Sequence, residues 1–87
     1  MSNTGNTAQE VKQLLDDTLE LGDRVQDFDE STLLLGDLPE LDSMAVVTLV
    51  AAIEDQYGVL VEDDEISAET FETFGNLVAF VDQKLNA

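Results

Sequence analysis

The chain has 87 residues, 44% of them hydrophobic, and contains neither cysteine nor histidine. That is enough for one domain with a thin core, and too apolar for a typical disordered chain. Twenty acidic residues against three basic ones (Lys12, Arg24, Lys84) give a net charge of −17, a surface that repels nucleic acid and anionic membrane and attracts basic patches on proteins. The same charge repels itself, so salt and divalent cations are expected to stabilise the fold. Without cysteine there is no disulfide framework, thiolate nucleophile or thiolate metal site. The first residues, Met1 to Asn6, lack the basic and apolar regions of a signal peptide. No apolar run approaches the roughly 18 residues that span a bilayer. The expectation is a cytoplasmic protein without stable membrane insertion.

Residues 1–6 read as a flexible tail and residues 7–87 as the folded domain. Thr7-Ala8-Gln9-Glu10 has the capping-box pattern, so a helix is expected to follow it. Val11, Leu14, Leu15, Thr18 and Leu19 fall on one helical face, with Gly22 as the terminator. Residues 22–42 carry no sustained period. Phe28, Leu33, Leu34, Leu35 and Leu38 give this stretch apolar anchors, and Pro39 bars a continuing helix.

A second helix is expected from about Ser43 to Tyr57, capped by Asp42 or Ser43. Its buried stripe is Val46, Leu49, Val50 and Ile53, and Gly58 ends it. Ser67 caps a brief helical turn through Phe71. A last helix runs from about Phe74 to Leu85, with Thr73 as a cap and Leu77, Val78, Val81 and Leu85 on its apolar side. The β-branched residues recur at helical spacing, so the fold class is all-α. The expected architecture is a small four-helix bundle, three helices longer and one short, with a long loop after the first.

Chemistry is sparse. No catalytic carboxylate pair, phosphate-binding glycine loop or metal-ligand cluster is visible, so the chain does not read as an enzyme. The run Glu62-Asp63-Asp64-Glu65 lacks the central glycine and ligand spacing of a calcium loop and reads as a solvated acidic turn. The feature that asks for more is Leu41-Asp42-Ser43-Met44. Aspartate and serine start helices in many proteins, because their oxygens accept orphan backbone N–H groups. Here the pair follows a long anchored loop. Met44 and Val47 fall off the core stripe, which leaves apolar side chains beside the serine.

With Glu54-Asp55, Tyr57-Gly58-Val59 and Phe71-Glu72-Thr73-Phe74-Gly75-Asn76-Leu77, this run resembles the acyl carrier proteins. The resemblance extends from about Thr7 to Leu85. It implies a four-helix bundle that carries acyl groups as thioesters on a 4′-phosphopantetheine arm, attached covalently from coenzyme A. Leu41-Asp42-Ser43-Met44 is similar to the family's Asp-Ser-Leu motif, with methionine for leucine. By that match Ser43 is the attachment residue and Asp42 caps the helix or meets the transferase. Met44, Val47 and Ala51 form the apolar centre of a partner-docking face, with Glu54 and Asp55 as its acidic rim. Val50, Ile53, Leu77 and Val81 are candidates to line a shelter for the acyl chain. The implied partners are a phosphopantetheinyl transferase and acyl-loading and acyl-using enzymes with basic docking patches, acting on a monomer.

The chain departs from the family pattern in three places. Glu40 stands where many members have glycine, and Ala45 and Thr48 stand where many have acidic residues. The stretch Leu38 to Met44 is similar to carriers grouped with bacterial exosortase and extracellular-polysaccharide systems. Fatty-acid-like, lipid and specialised biosynthesis all stay open, as does an aminoacyl or other short cargo. The rival reading is an acidic helical interaction module with no cofactor, in which Asp42-Ser43 is only a helix cap.

Overall fold

The computed structural model describes residues 4–85. Three α-helices dominate: α1 (Thr4–Leu19), α2 (Ser43–Tyr57) and α3 (Phe74–Leu85). Short 3-10 turns at Gly22–Asp27 and Asp63–Glu65 lie between them. The short fourth element is a run of successive i→i+3 turns, in which Thr70, Phe71 and Glu72 donate to the carbonyls of Ser67, Ala68 and Glu69 at 3.1–3.2 Å. Ser67 Oγ accepts from Thr70 N–H at 3.3 Å, as a cap does. Among the described residues the sole β feature is an isolated antiparallel bridge between Leu33 and Thr73.

The start of α1 differs from expectation. The helix begins at Thr4, not after Thr7, so the supposed tail is helical from residue 4 and residues 1–3 lie outside the described part. Thr7 is buried inside the helix, where its hydroxyl donates to Asp82 on α3 at 3.1 Å. A tertiary partner has taken the side chain that the capping-box pattern assigned to the helix start. The end differs too. Glu20, with φ +56°, is the left-handed residue that closes α1, and its N–H reaches the Asp16 carbonyl at 2.7 Å. Gly22, also left-handed, opens the following 3-10 turn, and its N–H is held by the Asp16 carboxylate at 2.7 Å. Two-point capping by Asp16 explains how a non-glycine residue is kept where a Cβ is disfavoured.

The apolar stripes of all three helices meet in one core. Val11, Leu15, Leu49, Ile53, Leu77 and Val81 are fully enclosed, with α1 packing on both α2 and α3. The long loop closes one end of this core. Leu34, Leu38 and Leu41 are buried, while Phe28 and Leu35 pack against the core from its margin. The Phe28 and Phe74 rings lie 5.8 Å apart in a tilted pair. Leu33 is not an anchor: it is half exposed. Successive side chains of an extended segment point to opposite sides, so burying Leu34 turns Leu33 outward.

Backbone hydrogen bonds latch this loop to the segment ahead of α3. Leu34 and Leu35 donate to the carbonyls of Glu72 and Phe71 at 2.8 and 3.0 Å, and Phe74 and Gly75 donate back to Thr32 and Glu30 at 2.8 and 3.2 Å. The approach at Gly75 is close. A Cβ there would sit 2.8 Å from the Glu30 carbonyl oxygen, so the latch requires glycine.

Candidate functional site

The loop delivers the chain to α2 under several constraints. Leu38 and Leu41 are buried, and Leu41 N–H bonds the Leu38 carbonyl at 3.0 Å. Between them Glu40 ion-pairs with Arg24 of the first 3-10 turn. The hydrogen bond from the Arg24 guanidinium, reinforced by a backbone N–H, holds the Glu40 carboxyl below the usual carboxylate range. Arg24 is itself steadied by Nε, which donates to the Leu21 carbonyl at 3.4 Å.

Asp42 is extended and stands at the N-cap of α2. Its carboxylate accepts the Ala45 N–H at 2.9 Å, and its carbonyl accepts the Val46 N–H at 2.9 Å. Ser43 is the first helical residue and is exposed. Like the first N–H groups of any helix, those of Ser43 and Met44 have no acceptor within α2. Together with the helix dipole they make the position favourable for a phosphoryl group on Ser43 Oγ. The residues present therefore fit a covalently attached phosphodiester.

Beyond Ser43 the outer face of α2 is apolar. Met44 is 74% exposed and Val47 64%. Thr48 and Ala51 are exposed on the same face, and the Thr48 hydroxyl turns back to the Met44 carbonyl at 3.0 Å. Of the two acidic residues that follow, Asp55 is exposed and Glu54 half-buried. Glu54 accepts the Val61 N–H at 2.8 Å and so fixes the chain past Gly58, which caps α2 with φ +64°. Ser43, Met44, Val47, Ala51 and Asp55 thus share an open surface, while the Glu54 carboxylate is engaged by its own chain. Val50, Ile53, Leu77 and Val81 are 0–7% exposed and belong to the closed core.

Two features of the site were not foreseen from sequence. The Arg24–Glu40 pair joins residues 16 apart, and its only sequence signal is that Arg24 is one of three cations. The other is Leu60 in the chain after α2, which is 70% exposed.

Known proteins share this fold. The family model for a phosphopantetheine attachment site matches residues 9–81. The acyl carrier protein of Petrotoga mobilis is 36% identical over 80 residues, covering 90% of this chain and 86% of that protein. The solution NMR structure of a holo acyl carrier protein from Nitrosomonas europaea is 46% identical, covers 100% of both chains, and superposes with a TM-score of 0.85. An interaction module without a cofactor is not favoured by these likenesses. The chain belongs to the acyl carrier protein family, whose members carry acyl groups on a covalently attached 4′-phosphopantetheine arm.

Proposed function

We propose that Ser43 is the residue to which the arm is attached. The observation that carries this reading is its position: an exposed hydroxyl on the first residue of α2, beside two N–H groups that no helical carbonyl accepts. In the attachment step Ser43 Oγ attacks the phosphorus that coenzyme A bears at its pantetheine end. The phosphoanhydride bond to the nucleotide breaks, adenosine 3′,5′-bisphosphate leaves, and the hydroxyl proton passes to a base. The chain has no histidine to act as that base, so base and Mg²⁺ belong to a phosphopantetheinyl transferase. The bound arm supplies a terminal thiol on which an acyl group rides as a thioester.

The chain's own part is to hold the serine out and to present a docking face. Asp42 keeps α2 wound to its first residue, so Ser43 stands at a fixed angle to the helix. Met44, Val47 and Ala51 offer apolar area to acyl-loading and acyl-using enzymes, with Asp55 at the edge. The chain acts as a carrier between catalysts and not as a catalyst. An acyl chain sheltering between the helices would have to part the packed side chains of Val50, Ile53, Leu77 and Val81. Among the described residues no helix is long and apolar enough to cross a membrane, and a cytoplasmic place of action is the reading that the composition supports.

Incubating the chain with coenzyme A, Mg²⁺ and a broad-specificity transferase should add the mass of one phosphopantetheine. Ser43→Ala should fold with an unchanged melting curve and gain nothing. An equal mass gain in Ser43→Ala would refute the assignment.

A further inference from the structure

A second concavity lies between α1 and α3. The two helices run antiparallel, with Thr7 against Asp82 and Lys12 against Phe74. Small residues keep them apart on one side: Ala8 on α1, Gly75 and Ala79 on α3. Phe28, Asp29 and Glu30 of the long loop close the third edge. The result is an open groove of about 750 Å³, walled by Phe28, Phe74 and Val78. No residue of α2 lines it, and so neither does Ser43.

The lining suits a cation beside apolar groups. Its charged residues are Lys12, Asp29, Glu30 and Asp82, formally one positive and three negative. Asp29 and Glu30 are exposed at the loop edge. Asp29 accepts from the Ser31 N–H and the Thr32 hydroxyl, neutral donors that leave its charge in place. Lys12 is half-buried, and its ammonium lies 5.9 Å from the centroid of the Phe74 ring. The aromatic wall of the groove therefore already holds one cation.

We propose that this groove receives a basic amphipathic helix of another protein. Its apolar side chains lie on Phe28, Phe74 and Val78, and its lysines or arginines face Asp29 and Glu30. The acidic lining and the overall charge of −17 select a cationic occupant over nucleic acid, an anionic membrane or a second copy of this chain. Because α2 contributes nothing to the groove, a helix bound there leaves Ser43 and its neighbours open. A carrier held this way stays with one protein while Ser43 faces others.

The probe is a synthetic helical peptide with leucine along one face and lysine on the other, titrated into the isotope-labelled full chain and followed by amide NMR shifts. The shifts should centre on Ala8, Lys12, Glu30, Gly75 and Ala79. Ala79→Lys and Gln83→Lys each set a cation in the groove at an exposed position of α3, and melting curves check that the fold is kept. Each should weaken peptide binding about tenfold. Ala68→Lys makes the same change of net charge at an exposed site outside the groove and should weaken it less than about twofold. A peptide of the same composition with its leucines scattered around the helix should bind about tenfold more weakly than the patterned one. Ser43→Ala should bind the patterned peptide as the parent does, whichever residue carries the arm. Shifts centred on α2, or no binding of the patterned peptide, would overturn the proposal. So would equal losses in Ala68→Lys and Ala79→Lys, or equal binding of the two peptides, since attraction to net charge alone would then suffice.

Discussion

Two capped turns in this molecule use the same chemistry for opposite ends. At the start of α2, Asp42 caps the backbone and the side chains that follow are left open to solvent. At Asp63–Glu65, Glu62 and Glu65 form a reciprocal capping box, and Glu65 also holds Lys84 of α3 through both carboxylate oxygens at 2.9 and 3.0 Å. The Glu62 N–H first, then Lys84, hold the Glu65 carboxyl below the usual carboxylate range. Among the described residues no three acidic side chains gather to hold a metal ion. The stretch that looks most conspicuous by charge is therefore a structural tie between the loop after α2 and the last helix.

Three substitutions sharpen this contrast. The largest effect on stability is expected away from both caps, at the latch. Gly75→Ala drives a methyl group against the Glu30 carbonyl and should cost about 1–3 kcal/mol, read as a fall in denaturant midpoint with little change in slope. A midpoint equal to the parent's would mean that the latch yields freely and does not fix the loop ahead of Ser43.

Asp42→Ala removes the cap of α2 and should cost about 1 kcal/mol. It should also slow attachment more than Gly75→Ala does, because fraying begins at Ser43 itself. If attachment is unaffected at temperatures where the chain stays folded, the rigidity of the first turn is irrelevant to the transferase.

Lys84→Met should have the smallest effect, and its pH dependence is the useful part. Glu65 has a lowered pKa in the folded chain, so its contribution is present above the unfolded carboxylate range of about 4 and is lost as pH falls through the lowered value. The Lys84→Met deficit in melting temperature should therefore be present at neutral pH and fade on acidification. It should leave transferase KM untouched. A deficit that persists at low pH would point to lost packing of the lysine stem.

Most of the bundle could be read from the residues, because apolar spacing and end signals agreed. α2 and α3 begin and end where Asp42, Gly58 and Thr73 indicate, and Thr73 Oγ1 accepts the Asn76 N–H at 3.0 Å. α1 was misjudged at both ends for one reason. The local signals read there were Thr7 and Gly22, but Thr7 is drawn into a tertiary contact, and Asp16 holds two N–H groups, letting Glu20 close the helix ahead of Gly22. The latch between residues 30–35 and 71–75 runs through backbone groups, which carry no side-chain signature. At the candidate site, the exposure of Met44 and Val47 followed from the helical period alone. The engagement of Glu54 did not, since its acceptor role depends on how the chain turns back after Gly58.

The most direct measurement is fragment mass spectrometry of the modified chain, mapping the arm to one residue. The account predicts the arm on Ser43, with Ser2, Ser31 and Ser67 unmodified. An arm on any of those three serines, or an even distribution among the four, would contradict it.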